Sequence, residues 1–351
     1  MADSSGQMDV VGITGPRRAG TVRKPMPRID RDYVLIRVLA APMCNEYVAY
    51  TDGVYLERNK PDSLGHEMAG EVVRAPAGAP VREGDRVVAF CGYPCGRCDP
   101  CRRGFYAHCA ATEDPRGVCG GESGECGFAQ YAVKPAWMCE TIPDGMSYEH
   151  AAMACCGLGP TFGAMERLGV GPGSTVLITG LGAVGLGGVI NAKARGATVI
   201  AAVRTPYRAE LARELGADHV VEPSHKEVMT ATGGLGADHV IECSGQEVYQ
   251  RLALDAVARL GTVAFLAEPG SLVLSVDEDL IQRGVTLLGT LDINRNDARR
   301  LLRLIASVPD QLDRYITHRL PLERAAEAFE AQASFETGKI VLFPHGTEEA
   351  R

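Results

Sequence analysis

Five cysteines fall between residues 91 and 109, in the stretch CGYPCGRCDPCRRGFYAHC. Four of them, Cys95, Cys98, Cys101 and Cys109, follow the spacing C-x2-C-x2-C-x7-C, and Cys91 stands outside it. Thiolates two residues apart converge on one tetrahedral zinc ion, at sulfur–zinc distances of about 2.3 Å. A disulfide knot or a redox pair is the alternative. In a reducing compartment, twelve cysteines in one chain read as metal ligands or small buried residues rather than as a disulfide framework. The spacing therefore predicts a structural zinc. With four thiolates it leaves no place for a substrate, so it holds a lobe at 91–110 together and does no chemistry.

A second motif, VLITGLGAVGLGG, carries G-x-G-x-x-G in Gly180, Gly182 and Gly185, with Ala183 and Val184 between the last two. It follows a strand-like run and opens a helix-like one, the context a dinucleotide-binding turn requires. The glycines permit a tight turn and let backbone amides at the positive helix end approach a pyrophosphate. The next strand should end in the residue that reads the adenosine ribose, yet AAVRTPYR has Val203 at the expected place, then Arg204, with Arg208 nearby. An acid there would bind the ribose hydroxyls of NAD; its absence, with a guanidinium beside it, predicts NADP(H). Solvated surface arginines are the plainer alternative.

These motifs need elements to hold them. A chain of 351 residues exceeds what one core usually organises. Its 46% hydrophobic and 23% charged content is that of a globular protein. A net charge of −8 argues against a general nucleic-acid binder. The start, MADSSGQMDV, shows no secretory pattern, and nowhere do 18 apolar residues run together, so the expectation is a soluble, cytoplasmic protein without membrane partners. Residues 8–40 alternate like strands, YVLIRVLAAP at 33–42 reads as a buried one, and MAGEVVRAP, GDRVVAF and GFAQYAVKP continue a β-rich front third. From about residue 147 helices and strands alternate. SYEHAAMACCGLGPTFGAMERLG reads as helical with Ser147 at its start, and STVLITG, ATVIAAV, DHVVEP, ADHVIECSG and GTVAFLAEP read as strands separated by helices. That pattern predicts parallel β-α-β units. Helices in RNDARRLLRLIASV and LERAAEAFEAQA and a strand in GKIVLFP close the chain.

GHEMAGEVV at 65–73, VREGDRVVAF at 81–90, GFAQYAV at 127–133 and ITHRLPLERAAEAFE at 316–330, with the cysteine lobe and the glycine motif in this order, extend over nearly the whole chain. In these the sequence resembles the zinc-containing medium-chain dehydrogenases, among them alcohol, sorbitol and threonine dehydrogenases. The resemblance implies an α/β architecture: a GroES-like β-rich catalytic domain from 1–157 and 291–351, and a Rossmann doubly wound parallel-sheet domain from 158–290. It implies a second, catalytic zinc, two per chain in all, with Cys44 as first ligand, His66 as second and Cys156 where alcohol dehydrogenases have their second cysteine. Glu67, beside His66, ligates directly in some relatives or exchanges with substrate or water. Cys155 stays open as a rival to Cys156, although the distance to Gly163 favours Cys156. A small-molecule alcohol or ketone substrate and a homodimer or homotetramer are also implied.

The chain departs from its relatives just past Cys44. They commonly place Ser or Thr two residues on, then Asp, then a His that completes a proton relay. Here CNEYVAY puts Glu46 at the hydroxyl position, Tyr47 at the Asp position and Ala49 at the His position. Glu46 could accept the substrate proton, ligate zinc, form an ion pair or bind a polar substrate. A carboxylate there disfavours an apolar substrate and points to a polyol, sugar or amino alcohol. The expected activity is zinc-dependent, NAD(P)-dependent oxidation of a secondary alcohol, or the reverse reduction. The rivals are a zinc-independent reductase of activated carbonyls or enones and a non-catalytic dinucleotide-binding structural protein. The complete set Cys44, His66, Glu67 and Cys156 speaks against the first rival.

Overall fold

Apolar and β-branched residues in short runs form the strands of the chain, which a computed structural model describes for residues 6–29, 31–53, 63–114, 117, 127–268 and 270–347. The first five residues of the amino-terminal stretch considered above lie outside these. In chain order the described strands are β1 (Gln7–Gly15), β2 (Arg18–Pro25), β3 (Tyr33–Pro42), β4 (Met68–Arg74), β5 (Arg86–Ala89), β6 (Tyr131–Pro135), β7 (Cys139–Thr141), β8 (Thr175–Thr179), β9 (Thr198–Ala202), β10 (His219–Val221), β11 (Ala237–Glu242), β12 (Val257–Phe265), β13 (Thr286–Gly289), β14 (Ile316–Pro321) and β15 (Lys339–Phe343). They divide between two units: Met1–Gly157 with Asn294–Ala306 and Ile316–Arg351, and Leu158–Ile293 with Ser307–Tyr315. No helix among the described residues is long and apolar enough to cross a membrane.

In the first unit β1 and β2 pair antiparallel, and a larger sheet runs β14-β15-β3-β4-β5-β7 with β6 also on β3. β3 explains its own apolar run, because it is covered on both faces. Val34, Ile36 and Val38 enter one cluster with Val72, Val87, Phe128, Phe329 and Leu342, while Tyr33 and Leu35 enter another with Tyr93, Tyr131 and Val133. That is the period-2 alternation of a strand with two buried sides.

An ion-pair knot ties β7 to the segment that returns from the second unit. Arg295 donates to Glu140 at 2.8 Å and Arg299 at 2.9 Å, and Arg295 also donates to the carbonyls of Trp137 and Cys139. Burial pushes the Glu140 carboxyl up, but the two guanidinium hydrogen bonds outweigh it and hold the carboxyl below its usual range. A depressed acid contributes stability above its unfolded pKa of about 4.3 and loses it as pH falls through the folded value. Glu140→Gln should therefore cost about 2 kcal/mol at pH 7. It should also soften the loss of stability on acidification below about pH 4.3. Thermal unfolding of both proteins at pH 7 and pH 4 checks both effects.

The second unit is a six-stranded sheet in the order β10-β9-β8-β11-β12-β13, every neighbouring pair parallel. Numbered from its own first strand this is 3-2-1-4-5-6, the doubly wound order whose direction reverses between the first and fourth strands. There the loops after β8 and β11 lie side by side: a Cβ on Gly180 would stand 2.5 Å from the backbone nitrogen of Ser244.

Two details differ from the sequence expectation. The helical run from Ser147 is not continuous: Ser147 Oγ does accept from the His150 amide, but the helix Tyr148–Ala152 stops, and a new one, Gly159–Leu168, begins after a turn. The turn presents Cys155 and Cys156 outside regular helix. The boundary near the C-terminal part also moves, because residues 291–293 and Ser307–Tyr315 fall with the second unit rather than within 291–351 of the first. The Tyr315 hydroxyl donates to the Ala183 carbonyl, which anchors that short helix beside the glycine-rich turn.

Candidate metal centres and dinucleotide-binding loop

The loop between β5 and β6 brings Cys95, Cys98, Cys101 and Cys109 together, with all four sulfurs within 4.8 Å of one another. Cys98 Sγ lies 3.4 Å from Cys101 Sγ and 3.9 Å from Cys109 Sγ. A zinc–thiolate tetrahedron with arms of about 2.3 Å has edges of about 3.8 Å, whereas a disulfide closes to about 2.05 Å. The spacing suits a metal ion and not a covalent bridge. Backbone amides of Cys101 and Ala110 hold the Cys98 thiol down to about 6, while burial pushes the Cys101 thiol up.

The second group combines residues far apart in sequence. Cys44 follows β3, His66 and Glu67 precede β4, and Cys156 sits in the turn between the two helices after β7. Their ligand atoms again lie within 4.8 Å of one another, and His66 Nε2 stands 3.1 Å from Cys156 Sγ. Cys155 turns the other way, its thiol donating to the Ala89 carbonyl of β5 at 3.5 Å. Of the two adjacent cysteines, Cys156 joins the group.

Electrostatics within the group are tightly linked. The hydrogen bond with Cys156 holds the Cys44 thiol well below its usual value against burial. Burial opposes a charge on His66, but the Glu46 carboxylate overcomes it and holds the imidazole well above its ordinary value. Glu67, fully buried, is pushed up to about 7 by desolvation, with the Lys339 ammonium pulling against it. Lys339 Nζ donates to Glu67 Oε1 at 2.6 Å, and both side chains are inaccessible to solvent. Glu67 Oε2, equally buried, meets no hydrogen-bond partner among the described residues. Two thiols, an imidazole and a carboxylate with a spare oxygen form a donor set that suits zinc.

Glu46 lies outside this group. It is buried, with one oxygen 3.0 Å from His66 Nδ1 and the other accepting from the Cys44 amide at 2.8 Å. Burial pushes its carboxyl up, yet His66 and the Cys44 amide together hold it below the usual range. Of the openings the sequence left for Glu46, the geometry matches an ion pair with His66, whose Nδ1 stands 3.0 Å from Oε1.

In the second unit, Gly180 adopts φ +74°, and Gly185 packs so close that a Cβ would stand 2.3 Å from the Gly180 carbonyl oxygen. Gly182 caps the helix Ala183–Ala194 without a side-chain cap, and a Cβ there would meet nothing within 4 Å. The helix start thus offers amides and open space together, the cradle a pyrophosphate fills. Val203 follows β9, buried, where an acid would read a ribose. Beyond it Arg204 is exposed over the Tyr249 ring at 5.6 Å. Arg208 lies in the first turn of the helix Pro206–Glu214, and the buried hydroxyl of its N-cap residue, Thr205, meets no partner among the described residues.

Comparison with known proteins places this arrangement. An alcohol dehydrogenase GroES-like domain matches residues 30–144, and a zinc-binding dehydrogenase domain matches 183–307. L-threonine 3-dehydrogenase of Pyrococcus horikoshii is 33% identical over 342 residues, covering 92% of this chain and 94% of its own. The chain belongs to the zinc-containing medium-chain dehydrogenase family. Sorbitol dehydrogenase of Bacillus subtilis is 31% identical, covering 92% of the chain and 93% of its own length. An alcohol dehydrogenase from Thermus sp. ATN1 superposes with TM-score 0.84 at 27% identity, covering 96% of this chain and 99% of that one.

Two residues of this medium-chain dehydrogenase escaped the sequence reading. Lys339 opens β15, an otherwise apolar strand, and a fully buried lysine there signals a buried partner. Gln332 donates from the helix Ala325–Ala333 to the Cys44 carbonyl, and no sequence pattern marks that contact.

Proposed function

We propose that the chain is a cytoplasmic, zinc-dependent dehydrogenase that oxidises the secondary alcohol of a polyol, sugar or amino alcohol to the ketone, or runs the reverse reduction, with NADP(H) preferred over NAD(H). The observation that carries this reading is the meeting of Cys44, His66, Glu67 and Cys156 in one group. Those residues would hold a catalytic zinc, and Cys95, Cys98, Cys101 and Cys109 a structural one. A zinc ion bound at the first group supplies a Lewis acid for the substrate oxygen. The chain's own residues do the rest: Cys44, His66 and Cys156 fix the site, and Lys339 neutralises Glu67 at its buried face. Amides at the start of Ala183–Ala194 bind the pyrophosphate, and Gly180, Gly182 and Gly185 keep that approach clear. Relatives named for threonine and for sorbitol support a polar, hydroxylated substrate. Exposed Val273, Val276 and Ile281, between β12 and the edge strand β13, support a homodimer or homotetramer.

NADP preference rests on Arg204, Arg208 and the Thr205 hydroxyl, gathered where an acid would otherwise repel a 2′-phosphate. Charge-assisted hydrogen bonds contribute about 1.5–3 kcal/mol each, so Arg204→Glu should cut the NADP-over-NAD ratio of kcat/KM by roughly 10- to 100-fold. The measurement is a panel of polyols, amino alcohols and aliphatic alcohols with each cofactor, followed by reduced-cofactor absorbance. A wild-type preference for NAD overturns the cofactor assignment. Turnover of aliphatic alcohols alone overturns the substrate class.

A further inference from the structure

We propose that Glu46 is the positioning carboxylate of the metal centre, bracing two ligands at once. The inference rests on the reading of Cys44, His66 and Cys156 as zinc ligands.

A metal-binding imidazole has two nitrogens and uses only one. Its other N–H is nearly always held by a carboxylate, a carbonyl or a water, which fixes tautomer and ring orientation and raises ligand basicity. In this chain His66 turns Nε2 towards Cys156 Sγ at 3.1 Å and Nδ1 towards Glu46 Oε1 at 3.0 Å. The carboxylate thus stands within ion-pair distance of Nδ1; a proton kept on Nδ1 by that charge would leave Nε2 with the lone pair a metal ion takes. The second oxygen, Oε2, accepts the Cys44 amide at 2.8 Å, so the same side chain fixes the backbone from which the first ligand projects. Gln332 holds that backbone from its other side through the Cys44 carbonyl.

The local sequence accounts for the arrangement. Glu46 is the N-cap residue of the helix Tyr47–Asp52, but its carboxylate makes no cap hydrogen bond and folds back over the two residues before it. Tyr47, at the position where relatives commonly carry Asp, sets its ring edge-on against Phe335 at 5.9 Å. Tyr47 brings no carboxylate to that position, and the arm of Glu46, one position earlier, reaches His66. Glu46 thus puts a carboxylate beside His66 one residue before the position where relatives commonly carry Asp.

A carboxylate that only accepted the substrate proton would alter turnover and its pH profile without touching metal binding. A positioning carboxylate alters metal binding itself. The full-length protein is loaded with Zn2+, then equilibrated against a series of zinc buffers, and bound metal is counted. In parallel Co2+ replaces the zinc and its visible d–d spectrum is recorded. Glu46→Gln places an amide where His66 Nδ1 and the Cys44 amide both need acceptors, and should weaken the second zinc by about 10- to 100-fold, shift the cobalt spectrum, and leave the zinc of the cysteine lobe in place. Glu46→Asp keeps the charge but shortens the reach, and should give a smaller loss of the same zinc; it carries the test if Glu46→Gln does not accumulate as a folded protein. Wild-type zinc affinity and an unshifted cobalt spectrum in either folded variant overturn the proposal. A wild-type protein that binds only the lobe zinc overturns instead the metal-site reading on which it rests.

Discussion

Replacing Cys44 by alanine is expected to lower kcat/KM about a thousandfold or more and to reduce bound zinc from two ions per chain to one. The magnitude follows from the task. A Lewis acid at the substrate oxygen is worth several kcal/mol of transition-state stabilisation, and about 4 kcal/mol is roughly three powers of ten in rate. Of the four proposed ligands, Cys44 is the one whose loss should be least compensated, since its thiol is already held low by Cys156 and His66 and its backbone is clamped by Glu46 and Gln332. Cys155→Ala is the control. That thiol is buried against the Ala89 carbonyl and away from His66, so its removal should leave zinc content and turnover near wild type at a stability cost of about 1 kcal/mol. Metal analysis and steady-state kinetics on the two variants decide the matter. Full turnover in Cys44→Ala, or loss of one zinc in Cys155→Ala, would reverse the ligand assignment.

The contrast between these two cysteines shows what a sequence can and cannot carry. The gathering of the lobe's four sulfurs was legible because its cysteines lie close along the chain, and a short x2 gap constrains thiolates whatever the rest of the fold does. The turn after β8 was legible for a similar reason: Gly180 needs positive φ and Gly185 needs to pass the Gly180 carbonyl, so the residue types record backbone constraints directly. β3 announced itself through an unbroken apolar run.

What stayed hidden depends on partners distant in sequence. Helical periodicity ran through 147–169, but the chain breaks into turns around Cys155 and Cys156, and nothing in the period marks the break. The short strand β13 and the helix Pro309–Tyr315 carry too few residues to show a pattern, and their places come from pairing with β12 and from the Tyr315 contact to Ala183. Glu46 could be noticed as a departure, yet nothing in the sequence signalled that His66 Nδ1 and the Cys44 amide would lie against its two oxygens. Lys339 is the sharpest case: 272 residues separate it from Glu67, so only the antiparallel pairing of β15 with β3 brings it to the site.

The second large effect concerns the lobe that does no chemistry. Cys98→Ser is expected to remove the other zinc, to lower the unfolding temperature of the first unit, and to change the emission of Trp137. Metal binding at such sites is folding free energy, about 10 kcal/mol or more where a small domain depends on it entirely; with a packed sheet beneath the lobe, a loss of a few kcal/mol is the expected share. The lobe is coupled to that sheet at defined points. The Arg295 amide donates to the Gly104 carbonyl at 2.8 Å, and Asn294 donates to the Arg103 carbonyl at 2.9 Å. The Arg295 guanidinium then reaches Trp137, Cys139 and Glu140. Trp137 is the single tryptophan of the chain, and a Cβ on Gly96, between Cys95 and Cys98, would stand 3.1 Å from its indole nitrogen. Its fluorescence therefore reports on the surroundings of the lobe. A chelator titration of the wild type should move Trp137 emission as the lobe zinc leaves, and Cys98→Ser should start from the shifted value. If the lobe metal can be withdrawn with no change in emission or unfolding temperature, the four thiolates are not what holds this part of the protein together.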